Sequence, residues 1–235
     1  MGQLSHLRDE IRRRMSEREV FLFPQPNVVW FPKTQMSRYV FEPRYRAMVA
    51  EAEKKRIPIA LVQLKPGWEA APKLVPPVYQ YCTFGRFLSL ERYLDGRYSM
   101  VLHGEHRARI LEESLSDKGF RRAWVKIDDI QMNVKPAQAQ RMRSAVLHSI
   151  GRHFSEDALS LLYGMKYQME NTIDGLLYQL IHHTYFEADY KQELLEQPSI
   201  TRLYHEVFRL LRSLRHPQLS TRKLQPFPYW YFPEN

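Results

Sequence analysis

Cysteine is the scarcest resource of this 235-residue chain: Cys82 stands alone. That excludes an internal disulfide and a cysteine-rich metal site, and it fits a reducing compartment. Long apolar runs are missing as well. None approaches the roughly 18 residues that a membrane-spanning helix needs. The opening, MGQLSHLRDEIRRRMSE, has no apolar stretch of the kind a secretory signal carries. Together these absences read as a cytoplasmic protein with no membrane segment. Gly-x-x-x-x-Gly-Lys-Ser/Thr does not occur, which excludes the usual phosphate loop of an ATPase. Gly-x-Ser-x-Gly does not occur either, so a serine-hydrolase elbow has no place here.

What the chain does have is apolar mass and positive charge. Hydrophobic residues make up 44% and aromatics 13%, which suffices for a core and sets the chain apart from disordered compositions. The formal charge is +9. Such a balance permits nucleic-acid or acidic-partner binding without requiring it. The charge is uneven. Residues 201–223 hold six Lys/Arg against Glu206 alone, whereas the first nineteen carry five arginines against four acids.

Four segments follow from the patterning. Within residues 1–19, Leu4, Leu7, Ile11 and Met15 fall three or four apart and predict an amphipathic helix. It packs on the domain body or serves as a surface or partner helix. Residues 20–133 read as β. Val20–Phe23, Val28–Phe31 and Ile59–Leu64 are short runs of β-formers bounded by proline. One helix interrupts them. Pro43 suits a first turn, and Tyr45, Met48, Val49 and Ala52 repeat at helical spacing. Thr83–Leu111 predicts a hairpin about Asp95-Gly96, because glycine tolerates positive φ in a tight turn. Ala123–Ile127 reads as a closing strand. Short strands around one helix predict a small open barrel or two packed sheets.

Beyond Asn133–Pro136 the period becomes helical. Residues 137–153, 156–168, 172–186, 188–196 and 200–214 predict the short helices of a bundle spanning 134–217. Ser155 and Thr172 are placed as N-caps, with acids near the positive helix end. Leu203, Val207, Leu210, Leu211 and Leu214 share one face of the last helix. The final segment, 218–235, contains QPFPYWYFP. Its prolines forbid a helix and favour an extended strip. Such a strip docks on its own chain, docks on a second copy, or serves another protein as a ligand.

Several of these stretches resemble one family. Phe21–Met48, FLFPQPNVVWFPKTQMSRYVFEPRYRAM, is similar to the opening of the amino-terminal domain of Lon proteases. Leu64–Glu69 followed by Pro76–Tyr79 resembles the first loop of free-standing Lon-domain proteins. Phe84-Gly85-Arg86, Leu94–Tyr98 and His103–Ile110 match the family's central hairpin in order and spacing, and Leu102-His103-Gly104 fits its Leu-x-Gly. Lys191–Glu196 and the helix after it look like the carboxy-terminal bundle. The resemblance implies an α+β fold: a PUA-like β pseudo-barrel followed by a helical bundle. It also implies a role in recognising unfolded or tagged polypeptides and in assembly. No segment matches the family's serine–lysine protease dyad, and the chain stops before an ATPase or protease domain would begin. A non-enzymatic polypeptide-binding or adaptor module without cofactor is expected, acting as monomer or homodimer, with an RNA-binding module or an enzyme of unrecognised type as the alternatives. The opening helix and the aromatic tail fall outside the shared pattern.

Trp68 is the leading candidate for polypeptide contact. It sits in a Pro-Gly-Trp-Glu loop that would project a flat side chain, and Tyr79, Tyr81 and Phe84 follow closely enough to line one groove. The plain alternative folds Trp68 onto the barrel. A second candidate is the stripe Arg202, Arg209, Arg212 and His216 on the last helix, suited to an acidic partner or an RNA backbone. Pro32, Glu42, Pro43, Arg44 and Tyr45 read as architectural, with Arg44 pairing an acid and Tyr45 entering the core. Cys82 reads as a small buried residue. His103 and Glu105 share a strand face but are too few for a metal site, and His182-His183 diverge by roughly 100° on a helix.

Overall fold

The computed structural model describes residues 16–70, 75–153, 172–184 and 186–213, with backbone alone for Arg152, His153, Arg212 and Ser213. The helix expected in the first residues, the one at 156–168 with its Ser155 cap, and the aromatic tail lie outside the described residues. The chain divides into two compact units between Asp129 and Ile130.

The first unit contains β1 (Glu17–Gln25), β2 (Gln35–Val40), α1 (Pro43–Lys55), β3 (Ile59–Gln63), a 3-10 turn (Trp68–Ala70), β4 (Tyr81–Arg92), β5 (Tyr98–Leu115) and β6 (Arg121–Ile127). The strands follow the order β2-β5-β4-β3-β1-β6, and β5 also pairs with β6. That last pairing closes β5, β4, β3, β1 and β6 into a ring, with β2 alongside the first half of β5. Among the described strands only β1 and β3 pair in parallel. β1 starts at Glu17, so residues 17–19 belong to the sheet and not to the helical extension expected up to residue 19. They are strand because they pair with Lys126, Val125 and Trp124 of β6.

Alternation along β1 and β3 explains why both read as apolar runs. Val20, Leu22, Ala60 and Val62 point into the ring with Cys82, Phe84, Ala108, Ala123 and Val125. Phe21, Phe23, Ile59 and Leu61 point the other way, onto Tyr45, Met48, Val49 and Ala52 of α1. Both strand faces are buried, so neither face selects polar residues. The expected helix appears with Pro43 at its start. Lys118, in the β5–β6 turn, and Lys55 both bond the Glu51 carboxylate of α1, each at 2.7 Å.

The hairpin forms as expected, with Gly96 at φ 82°. Three register slips interrupt the ladders of β5, with Glu105 and Leu111 the extra residues on β5 itself and Leu88 the extra residue on β4. Such slips add twist and bend a strand. They let one long strand serve β2, β4 and β6 in turn, and they leave Leu88 and Leu111 exposed.

Val28–Phe31, expected as a strand, is not one. Asn27 and Lys33 take φ of 56° and 61°, which breaks extended pairing at both ends. The segment is nonetheless buried, with Trp30 at 1% exposure. It lies across the sheet where Gly85 and Gly104 face each other. Lys33 N donates to Gly104 O at 2.7 Å, and Gly104 N donates to Thr34 O at 2.9 Å. Thr83 Oγ1 donates to Trp30 O, and Thr34 Oγ1 to Phe31 O, each at 2.7 Å. These bonds replace the ladder that a strand would have supplied.

The second unit contains α2 (Pro136–His153), α3 (Ile173–His182), α4 (Ala188–Leu195) and α5 (Ile200–Ser213). Gln131 forms a bridge with Ser199, and Thr201 Oγ1 donates to Asn133 Oδ1 at 2.9 Å, which seats the start of α5. α2, α3 and α5 pack on one another. Residues Ile173–Ile181 of α3 are all buried. Thr172 takes the extended N-cap backbone and Asp174 lies in the first turn. On α5, Leu203, Val207 and Leu211 are buried. α3 ends at His182 with His183 as its C-cap, its N–H still donating to Gln179 O at 3.1 Å, and the two histidine rings meet edge-on at 4.9 Å.

A Cβ at Gly104 would stand 2.5 Å from Phe31 O and 3.2 Å from Pro32 Cα, both backbone atoms. Gly104→Ala is therefore expected to destabilise the first unit by about 2 kcal/mol or more. A denaturation midpoint equal to that of the parent protein would refute the seating of this segment.

Candidate functional site

A cleft of about 560 Å³ opens beside the start of α1. Three stretches of chain build it, and each arrives for a local reason. β2 ends at Val40, whose side chain is buried, so Phe41 points outward and is 62% exposed. Glu42 precedes Pro43 and is held extended at φ −63°, ψ 134°, as a residue before proline must be. From there α1 begins, placing Arg44 and Tyr45 on the cleft wall. The end of β1 supplies Phe23, Pro24, Gln25 and Pro26. The loop after β3 supplies Leu64, Trp68, Glu69 and, on its return, Pro76. Lys65 N donates to Pro77 O at 2.9 Å and Trp68 N to Lys65 O at 3.2 Å, so the loop closes on itself and stands Trp68 half-buried at the rim.

Phe23, Val40, Tyr45 and Leu64 are buried and form the floor. Phe23 meets Tyr45 edge-on at 4.7 Å. The Arg44 guanidinium lies 4.5 Å over the Tyr45 ring and 3.0 Å from Glu42 Oε2. Burial pushes the Tyr45 phenol up, with the neighbouring Arg44 charge opposing. Arg121 bonds Glu113 and donates to Pro76 O at 2.7 Å, which fixes the far rim.

The edge of β1 at this cleft cannot offer a full hydrogen-bond ladder. β6 pairs with β1 only from Glu17 to Leu22. Phe21 N donates to Pro58 O and Leu64 N donates to Gln25 O, so the odd residues bond toward β3. Pro24 and Pro26 fall on the other side and lack N–H. Strand addition along β1 is therefore blocked, and side-chain burial is the contact this cleft can offer.

Of the residues expected to form one groove, only Trp68 lines this cleft. Phe84 is 3% exposed, inside the ring, with the His106 ring at 5.5 Å. Tyr81 Oη donates to Asp128 Oδ2 at 2.8 Å, and the Arg107 guanidinium sits 5.3 Å over its ring. Burial and Asp128 raise the Tyr81 phenol. Arg107 is 2% exposed, and its Nε bonds the Asp128 carbonyl, which offsets the cost of burying the charge. Tyr79 is half-buried, with its N–H on Gln63 O. Glu42, Arg44 and Tyr45 are instead on the cleft wall, and Pro32 sits in the turn at the end of the Trp30 segment. Phe41 and Tyr39 went unrecognised. The signal for Phe41 was the β2 alternation, which turns it out once Val40 is turned in.

On the last helix, Arg202 and Arg209 are exposed, and Arg209 pairs with Glu206 at 2.5 Å. The Arg212 side chain and His216 lie outside the described residues. Among the described residues no group of three or more His, Cys, Asp and Glu is placed to hold a metal. Glu105, at the first register slip, pairs with Arg86 at 3.0 Å.

The family model of the ATP-dependent protease La (LON) substrate-binding domain matches residues 19–213. The chain belongs to this Lon family. The crystal structure of a Lon N-terminal domain protein from Xanthomonas campestris superposes with a TM-score of 0.55 at 18% identity, covering 81% of this chain and 97% of that one. The N-terminal domain of a Mycobacterium avium complex Lon protease gives 0.59 at 14% identity, covering 87% and 100%. At such identities the likeness is one of fold: a β-sheet with helices in the Lon N-terminal arrangement. No curated protein matches the chain.

Two titrating groups test this geometry. Cys82 is buried in the ring and its thiol is pushed up to about 12, chiefly by burial. It is expected to resist a water-soluble disulfide reagent at neutral pH until the protein unfolds. Rapid labelling of the native state would contradict a closed ring. Glu51, held by Lys118 and then Lys55, is lowered from 4.5 to about 2. A depressed folded pKa gives stability that is present above pH 4.5 and lost as pH falls toward 2. Its partners are half exposed, so solvent screening keeps the contribution small. Unfolding of Glu51→Gln should depend less steeply on pH across that window than unfolding of the parent; equal slopes would remove this anchor of α1.

Proposed function

We propose that this Lon-family domain is a non-catalytic module that binds unfolded or exposed polypeptide segments in the cleft beside α1. The observation that carries this reading is an open apolar cleft whose rim holds Phe41, 62% exposed, and the half-buried Trp68. Large apolar side chains kept accessible over a buried aromatic floor gain by covering one another. The family's description as a substrate-binding domain supports the same reading. The five-strand ring supports a PUA-like pseudo-barrel for the first unit, and the packing of α2, α3 and α5 supports a helical bundle for the second. In this reading the protein is cytoplasmic, uses no cofactor, and acts as monomer or homodimer. It delivers its ligand to other machinery as an adaptor.

Nucleic-acid binding through Arg202, Arg209, Arg212 and His216 is the competing reading. The pairing of Arg209 with Glu206 weakens it.

A labelled, permanently unfolded polypeptide titrated into the protein at low and at physiological salt separates the two. Saturable binding that survives the higher salt is expected, because apolar contacts resist salt where phosphate contacts do not. Phe41→Ala and Trp68→Ala should each weaken it about tenfold, the equivalent of losing ~1.4 kcal/mol of apolar burial. Absence of polypeptide binding, alongside oligonucleotide binding that is lost with salt, would overturn the cleft in favour of the basic face.

A further inference from the structure

Polar groups around the cleft are unequally matched. Arg44 is held by Glu42 at 3.0 Å. Arg97, whose guanidinium lies 5.3 Å over the lining residue Tyr39, is held by Asp95 at 2.5 Å. Arg121, which fixes the Pro76 rim, is held by Glu113. Each of these three cations therefore has its own carboxylate. Glu69 does not fit this pairing. It lines the cleft next to Trp68, is exposed, and has no ion pair among the described residues. Lys65, on the same loop, is not a lining residue. Among the described residues the cleft thus presents one negative charge without an ion pair, beside an aromatic ring, on a protein whose formal charge is +9.

Resting on the polypeptide-binding reading, we infer that the cleft prefers segments in which a large apolar side chain is followed or preceded by Lys or Arg. The apolar side chain fills the space between Phe41 and Trp68, and the adjacent cation reaches Glu69. A neighbouring Asp or Glu in the segment meets like charge at Glu69. Ladder bonds to β1 are blocked by Pro24 and Pro26, so side chains decide which segment is retained. Charge complementarity sets selection here more than it sets affinity.

Short labelled peptides of otherwise Gly-Ser sequence, carrying Phe-Lys, Phe-Gln or Phe-Glu, test this on the full chain by fluorescence anisotropy at physiological salt. Phe-Lys is expected to bind about threefold more tightly than Phe-Gln, and Phe-Glu correspondingly weaker, the size of an exposed ion pair. Glu69→Gln should erase the ranking and Glu69→Lys should invert it. Equal binding of all three peptides, or a ranking that survives Glu69→Gln, overturns the charge preference and leaves the cleft reading standing. Failure of every peptide to bind, or binding that is indifferent to Phe41→Ala, overturns both.

Discussion

The close approach of the Trp30 segment to the Gly85–Gly104 pair is the contact on which the first unit depends. Two strands meet there with no side chain between them and the crossing backbone. Because that space is empty, Lys33 and Thr34 hydrogen-bond directly to Gly104, and Trp30 drops into the core. The same bonds hand the chain to β2 in register with β5, from Gln35 opposite His103 to Val40 opposite Tyr98. Where β2 ends decides where α1 begins and which way Phe41 faces. The cleft wall is thus set by a contact well removed from it in sequence.

Apolar residues of β1 and β3 are divided between two cores, one inside the ring and one beneath α1. This division gives the short strands more burial than a one-faced sheet would allow, and it holds α1 by its Tyr45–Ala52 face. Charge plays a smaller part. Glu51 between Lys55 and Lys118, and Glu19 with Arg122, tie neighbouring elements at the surface. Arg107 differs: buried, it must be met by the Asp128 carbonyl and the Tyr81 ring, and it organises the end of β6.

The cleft stays open because its two rims come from chain that is committed elsewhere. Glu42-Pro43 stiffens one side and the Lys65–Trp68 turn the other, so neither collapses onto the floor of Phe23 and Tyr45. The half-buried Trp68 ring lines the cleft, and the loop that carries it was legible in sequence because Pro-Gly precedes it. Its neighbours in space were not. Tyr79, Tyr81 and Phe84 stand near it in sequence, yet strand alternation sends Phe84 into the ring and Asp128 captures Tyr81. Proximity along a chain that turns between strands is a poor guide to a shared groove.

Local rules determined what needed only neighbours in sequence. Pro43 and the Tyr45–Ala52 spacing specified α1, Asp95-Gly96 specified the hairpin turn, and the periodicity after Pro136 specified α2, α3, α4 and α5, since each depends on dihedral preference or on one face of an element. Val28–Phe31 shows the limit. Its β-forming residues promise a strand, but a strand needs a partner, and the neighbouring edges are taken by β5, β4 and β3. Which edge is free, that β5 pairs on to β6 and so closes a ring, and which aromatic rings share a cleft are long-range facts. Tertiary structure alone decided them, because each depends on residues that meet only after the chain has closed on itself.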